Sequence, residues 1–196
     1  MTLYEFDSIL RKDYPVMAGI DEAGRGPLAG DVYAAAVILP EGVVIEGIND
    51  SKKLSAKKRE ELFEIIISCA KAYSIATASV EEIEELNILN ASMLAMRRAV
   101  DGLGVDYNIA IVDGNKTPDI PRARAVVKGD GTSQTIAAAS ILAKVARDRY
   151  MCELDLKYPE YQFSRHKGYG TKLHYEMIKE YGPSPVHRRS FLKVMH

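Results

Sequence analysis

Long apolar runs are missing from this chain of 196 residues. None approaches the ~18 residues a membrane span needs, and the opening MTLYEFDSILRKDYP carries acids and no stretch of signal-peptide length. Cysteine is scarce: Cys69 and Cys152 stand far apart, each in helix-like sequence, so they are expected to be buried reduced thiols in a cytoplasmic protein. Repeats and low-complexity segments are absent. With 47% apolar and 27% charged residues the composition excludes disorder, collagen and coiled coil, and the length suits one domain, at most with a small appendage.

Net charge is also nearly absent, at −1, which taken alone argues against a nucleic-acid binder. The distribution is uneven. Residues 1–110 hold 11 basic and 18 acidic side chains, whereas residues 111–196 hold 15 and 9. Such asymmetry arises among solvated surface charges, and it also arises where one face meets phosphates, which requires a local basic surface rather than a basic protein.

Five short apolar segments read as strands: 16–22, 31–39, 73–80, 107–113 and 122–127. Helical spacing marks 56–71, with Leu62, Ile65, Ile66 and Cys69 on one face, then 81–86 and 90–102, joined around Asn87 and Asn90. A long helix over 133–154 is rich in alanine, which permits close packing on a sheet, and another covers 171–181. Residues 1–15 form a lead-in helix ended by Pro15. Strands mostly followed by helices predict an α/β domain with a mixed sheet.

Acids recur at strand ends. Asp21 and Glu22 close the first strand, Asp113 the fourth, and Asp130 lies in the polar hinge KGDGTS after the fifth. Carboxylates at the ends of buried strands are costly unless paired or metal-bound. Each alone is compatible with a loop acid or a helix cap, and Asp130 with favouring the dipole of the helix that starts nearby; three such places in one small domain point to a cluster. Four oxygen donors without a Cys or His pattern suit Mg²⁺ or Mn²⁺, and two such ions would hold a scissile phosphate. Neighbouring strand residues face opposite ways, so Asp21 and Glu22 are expected to share a site only if the strand ends or bulges there.

The glycine-rich segment Gly24-Arg25-Gly26-Pro27-Leu28-Ala29-Gly30 leads into a strand-like DVYAAAVIL, not the helix that a dinucleotide fingerprint requires, and no P-loop motif occurs. A tight turn whose main chain touches a ligand is the remaining use. Cations, hydroxyls and aromatics mix in Asp50-Ser51-Lys52-Lys53-Leu54, in 165–172 around Tyr169, and in 182–191. Such runs are often solvated surface, but they also suit phosphates and sugars. Tyr169, between Gly168 and Gly170, is expected to meet a ligand; His187 reads best as a satisfied structural histidine.

The segments GIDEAGRGPLAGDVYAAAVIL, DSKKLS, IVDGN, VVKGDGTSQTIAAASILAKVARDRYM, HKGYGTKLH and YGPSPVHRRSF, in this order, resemble the bacterial ribonuclease HII family over nearly the whole chain from about residue 16. The resemblance implies a ribonuclease H-like fold: a five-stranded mixed sheet flanked by helices, with a catalytic core over about 16–155 and a helical C-terminal part over 156–196. It implies a metal-dependent endonuclease that hydrolyses the RNA strand of RNA/DNA hybrids and nicks 5′ of single ribonucleotides in duplex DNA, leaving 3′-hydroxyl and 5′-phosphate ends. Asp21, Glu22, Asp113 and Asp130 would be the acidic ligands of two Mg²⁺ or Mn²⁺ ions. Gly24, Arg25 and Gly26 would contact the ribose 2′-hydroxyl and its phosphates, Tyr169 would sense the RNA-to-DNA junction, and Lys52 would bind nucleic acid.

A DNA-cutting nuclease of the same fold would share the acids but has no 2′-hydroxyl to sense through a GRG loop and Tyr169. A non-catalytic binding module would not need the carboxylates, and a dinucleotide-dependent oxidoreductase would need a helix after the glycines. No obligate protein partner is evident, monomer is the default, and no tail-mounted partner motif is expected at Met195-His196.

Overall fold

The computed structural model describes residues 1–192. Lys193, Val194, Met195 and His196, and with them the expectation for the chain's end, lie outside the described residues. A capping box opens the first helix, α1 (Leu3–Arg11): the Glu5 N–H donates to the Thr2 hydroxyl, and the Thr2 N–H donates to the Glu5 carboxylate. Five strands follow the expected order: β1 (Met17–Ala23), β2 (Val32–Ile38), β3 (Ala72–Ala78), β4 (Ile109–Asp113) and β5 (Ala123–Val126). They form one mixed sheet in the order β3-β2-β1-β4-β5; β1, β2 and β3 run antiparallel, while β4 and β5 continue parallel to β1.

Helices α2 (Ala56–Cys69), α3 (Val80–Leu86), α4 (Ile88–Asp101) and α5 (Gln134–Lys157) cover the two faces. Asn87, at φ 70°, ends α3 and also caps α4 by accepting the Asn90 N–H. Two cores result. One packs α4 against β1, β2 and β4 through Ala18, Ile20, Ala95 and Ala99; the other packs α5 and α2 against β2 through Ala35, Val37, Leu62 and Ala138. Beyond α5, the four-residue α6 (Phe163–His166) and α7 (Lys172–Tyr181) form the C-terminal helical part.

Two expectations of burial fail. On α2 the buried residues are Leu62, Phe63 and Ile66, while Ile65 is exposed, because this outer helix meets the core along a narrow stripe turned toward α5. Cys69 is only half-buried, and Cys152 is exposed where α5, with its own Arg149, lines an open cleft with Arg59 of α2; neither thiol forms a disulfide.

Helix α5 fixes the site's frame. Its capping residue Ser133 and its residues Gln134–Ala143 are all buried between the sheet and its neighbours. Asp7 of α1 accepts from both the N–H (2.8 Å) and the hydroxyl (2.6 Å) of Thr135, so the lead-in helix supplies a carboxylate to the start of α5. The helix crosses β1 at Gly19, where an added Cβ would lie 2.5 Å from the Thr135 carbonyl group. Backbone cannot yield there as a flexible side chain would. Gly19→Ala is therefore expected to cost about 1–3 kcal/mol of stability, the usual range for overpacking, read as a fall in Tm. An unchanged Tm would show that β1 and α5 can separate freely.

Candidate active site

The site is assembled at the carboxyl ends of β1 and β4, where open α/β sheets bind their ligands. The parallel register runs from Met17 opposite Ile109 to Ile20 opposite Val112, so Asp21 and Asp113 follow side by side. A tight turn over Gly129–Gly131 brings in Asp130, whose N–H donates to Asp113 Oδ1 at 3.2 Å. Asp21, Asp113 and Asp130 each offer a carboxylate oxygen within 4.8 Å of the others.

The bulge or strand end expected between Asp21 and Glu22 is not there. Pairing with β2 runs unbroken from Ala18 opposite Ile38 to Ala23 opposite Tyr33. Glu22 therefore stays outside the three-acid group. It lines a cleft of about 190 Å³ with Asp113, Met93 and Lys116, and its carboxylate stands 3.4 Å from the Arg25 guanidinium. It also borders the cleft that holds Asp21, because the strand's end is open on both sides.

Burial pushes Asp21 well above the ordinary carboxylate range, and the charges of Glu22, Asp113 and Asp130 push it further. Asp130 is raised by burial and then by Asp113. Lys52 Nζ lies 3.9 Å from Asp130 Oδ2, too exposed to neutralise the group. A set of close, hard oxygen donors with a shortage of positive charge fits a divalent cation such as Mg²⁺ or Mn²⁺, for which carboxylates are the natural ligands.

The GRG loop adjoins the acids. A cavity of about 230 Å³ is lined by Asp21 and Glu22 on one side, by Gly24, Arg25 and Gly26 on another, and by Tyr169, Lys144 and Lys52. The Tyr169 ring passes within 3.8 Å of the place a Gly26 Cβ would occupy, and the residue is 41% exposed. A third cleft carries Lys52, Lys53 and Lys128 past Asp113 and Asp130. The loop opens into an antiparallel strand with no helix at its glycines, which removes the dinucleotide reading.

Several residues that hold this arrangement escaped the sequence reading. Arg147 and Arg188 are fully buried. Arg188 donates to the carbonyls of Gly30 (2.8 Å), Arg25 (3.0 Å), Pro27 (2.9 Å) and Gly24 (2.6 Å). Arg147 donates to those of Asp31, Lys167 and Ala29. Gly24, at φ 96°, is required twice over, since a Cβ there would also collide with the Arg147 side chain. No local signal singles out Arg147, which sits between Lys144 and Arg149 on the same helix. Lys144 and Ser140 lie one and two turns before it on the cleft side of α5.

His187 is buried, away from the cavity lining, in a group with His166 and His174. The His166 and His174 rings stack at 4.1 Å. Burial holds His174 and His187 down to about 4, so both are neutral at physiological pH.

A mixed five-stranded sheet bearing an acidic cluster at the ends of β1 and β4 is the framework of the ribonuclease H-like nucleases. The family model for ribonuclease HII matches residues 18–194. A ribonuclease HII of Caldicellulosiruptor bescii is 53% identical over 188 residues, covering 95% of this chain and 91% of the relative. Among solved structures, the ribonuclease H2 of Pyrococcus horikoshii superposes with a TM-score of 0.73 at 28% identity, over 89% of this chain and 93% of that one. The Archaeoglobus fulgidus RNase HII, solved in complex with PCNA, gives a TM-score of 0.69 at 29% identity, over 88% and 93%. The chain belongs to the ribonuclease HII family: it is an endoribonuclease acting on RNA/DNA hybrids, of a divalent-metal-dependent kind.

Asp113→Asn keeps the side chain's shape and removes one charge from the cluster. Without metal its Tm is expected to match or exceed that of the parent, because repulsion is relieved. The Tm increase that millimolar Mn²⁺ or Mg²⁺ gives the parent by binding the folded state is expected to shrink or vanish. An equal metal-induced increase in both proteins would remove Asp113 from the metal site.

Proposed function

We propose that this enzyme, besides cutting RNA strands in hybrids, nicks duplex DNA on the 5′ side of a single embedded ribonucleotide, leaving 3′-hydroxyl and 5′-phosphate ends, and so takes part in ribonucleotide removal from DNA. The observation that carries the proposal is one cavity lined at once by Asp21, by Gly24–Gly26 and by Tyr169. A reactive phosphate and a ribose next to it can be met there together.

Asp21, Glu22, Asp113 and Asp130 hold two Mg²⁺ or Mn²⁺ ions in this reading. Bound there, the ions supply an activated water at neutral pH and stabilise the leaving oxygen. The chain's own groups select and orient. Main-chain groups of Gly24–Gly26 meet the 2′-hydroxyl, the handle by which a protein tells RNA from DNA. Arg25 and Lys52 hold phosphates. The Tyr169 ring lies against the sugar 3′ of the ribonucleotide, where a deoxyribose fits and a second 2′-hydroxyl is crowded. All of these residues come from one chain, which supports action as a monomer without an obligate partner. The cytoplasm, where bacterial DNA resides, is the fitting location.

The direct test is a duplex with one ribonucleotide, incubated with Mg²⁺ or Mn²⁺, and its products sized. Tyr169→Phe loses at most one neutral hydrogen bond, about 0.5–1.5 kcal/mol. Tyr169→Ala also frees the substrate to shift away from the acids, and misplacement of that kind can cost about 10²-fold. On the single-ribonucleotide duplex, kcat/KM is therefore expected to fall far more for Tyr169→Ala than for Tyr169→Phe, and by a larger factor than on a continuous RNA strand. Equal losses on both substrates would reduce Tyr169 to a packing residue.

Lys52, with an 80% exposed side chain beside the acids, gives a second test. Each phosphate contact adds roughly −0.9 to the log–log slope of affinity against salt on B-form duplex. Lys52→Ala is expected to flatten that slope by about one contact without moving the cut. An unaltered slope would place Lys52 off the nucleic-acid path.

A further inference from the structure

His187 and Arg188 are neighbours in sequence, both buried, and they connect to the two separate elements that line the proposed ribose site. His187 leads to Tyr169. The Tyr169 carbonyl can only accept, so His174 Nδ1 carries the proton in their 2.9 Å bond. His174 Nε2 is then an acceptor, and His187 Nε2–H donates to it at 2.9 Å. His187 Nδ1 is left to accept, and it receives the Ser184 N–H at 2.9 Å and lies 2.8 Å from the Ser184 hydroxyl. One arrangement of protons satisfies every bond of the chain from Ser184 to Tyr169.

Arg188 leads to the GRG loop. Its guanidinium draws the carbonyls of Gly24 and Arg25 inward. Because each peptide is planar and trans, the N–H groups of Arg25 and Gly26 are thereby turned away from Arg188. The main chain ties the same pieces together: Arg188 N–H to Leu28 O at 2.8 Å, Gly30 N–H to Val186 O at 2.9 Å, and Leu28 N–H to Gly168 O at 2.8 Å. Residues 28–30 are thus held between 168 on one side and 186–188 on the other.

We propose that His187 and Arg188 are positioning residues that lock Tyr169 and the Gly24–Gly26 loop into one register, so that preference for a ribonucleotide followed by DNA depends on a buried pair that touches no substrate. The inference rests on the reading of Tyr169 and the loop given above. It differs from a purely structural role in what it moves. Loosening the pair leaves Asp21, Asp113 and Asp130 on their own strands and turn, so cleavage of a continuous RNA strand, which offers a 2′-hydroxyl in every register, falls less than cleavage at a single ribonucleotide.

The test compares His187→Leu, which ends the chain of bonds, with His187→Gln, whose amide can still donate to His174, and with Arg188→Lys, which keeps the charge but loses the planar fork. Two quantities are read: the ratio of kcat/KM on a single-ribonucleotide duplex to that on an RNA/DNA hybrid, and amide hydrogen exchange at residues 24–30 and 168–170, which reports local opening. The Mn²⁺-induced rise in Tm verifies that each variant is folded with its acids in place.

The expected result for His187→Leu is a ratio lowered at least tenfold, faster exchange at 168–170, and substantial recovery of both in His187→Gln. Arg188→Lys, the milder change should His187→Leu fail to fold, is expected to lower the ratio with faster exchange at 24–30. Exchange in both segments at the parental rate overturns the proposal. So does an unchanged ratio in His187→Leu or Arg188→Lys when Tyr169→Ala lowers it. If Tyr169→Ala itself leaves the ratio unchanged, the ribose-reading role of Tyr169 is at fault, and this inference falls with it.

Discussion

Mutual repulsion among three carboxylates is the constraint around which this molecule is built. Asp21 and Asp113 end adjacent parallel strands, and Asp130 is folded back upon them by a turn. In water such groups would separate. Here strand pairing prevents it, and burial, followed by the charges of Glu22, Asp113 and Asp130, holds the Asp21 carboxyl well above its ordinary range. The scaffold must therefore be stiff where it meets the acids. Gly19 lets α5 sit directly on β1, two residues before Asp21, and Asp7 ties the start of that same helix to α1.

The other half of the site is held by a different principle. The GRG loop has no ladder of its own around Gly24–Gly30, and its carbonyls face inward. Burying those acceptors without partners would cost several kcal/mol in total. Arg188 and Arg147 solve this by turning their donors on seven carbonyls between them. Neither guanidinium forms a carboxylate ion pair among the described residues; each charge is solvated by peptide dipoles. The acids are thus fixed by the sheet, and the loop by two side chains reaching from α5 and from the C-terminal part.

Much of this was legible in the sequence. The strands were, because each is a short apolar run bounded by turn residues, and the acids stood out because they close such runs. The place of Tyr169 on the cavity wall was legible from its flanking glycines. The guanidinium anchors were not: a lone arginine usually lies on the surface, and nothing local distinguishes Arg147 or Arg188 from Arg149 or Arg189. The bond from Asp7 to Thr135 spans 128 positions and leaves no periodic trace. The bulge expected at Asp21 and Glu22 is absent because none is needed: alternation puts the two side chains on opposite faces, and the clefts on the two faces share Glu22 and Arg25 in their walls.

The long reach from Arg188 back to the loop carries a consequence for biosynthesis. Its partners Gly24 to Gly30 precede it by 158 to 164 positions. Chains leave the ribosome amino end first, so the loop emerges well before its organising cation and waits until the 158 positions from Gly30 to Arg188 have been made. By then β1, β4 and the turn bearing Asp130 have already been released. A nascent chain can gather its acids before it can shape the surface beside them.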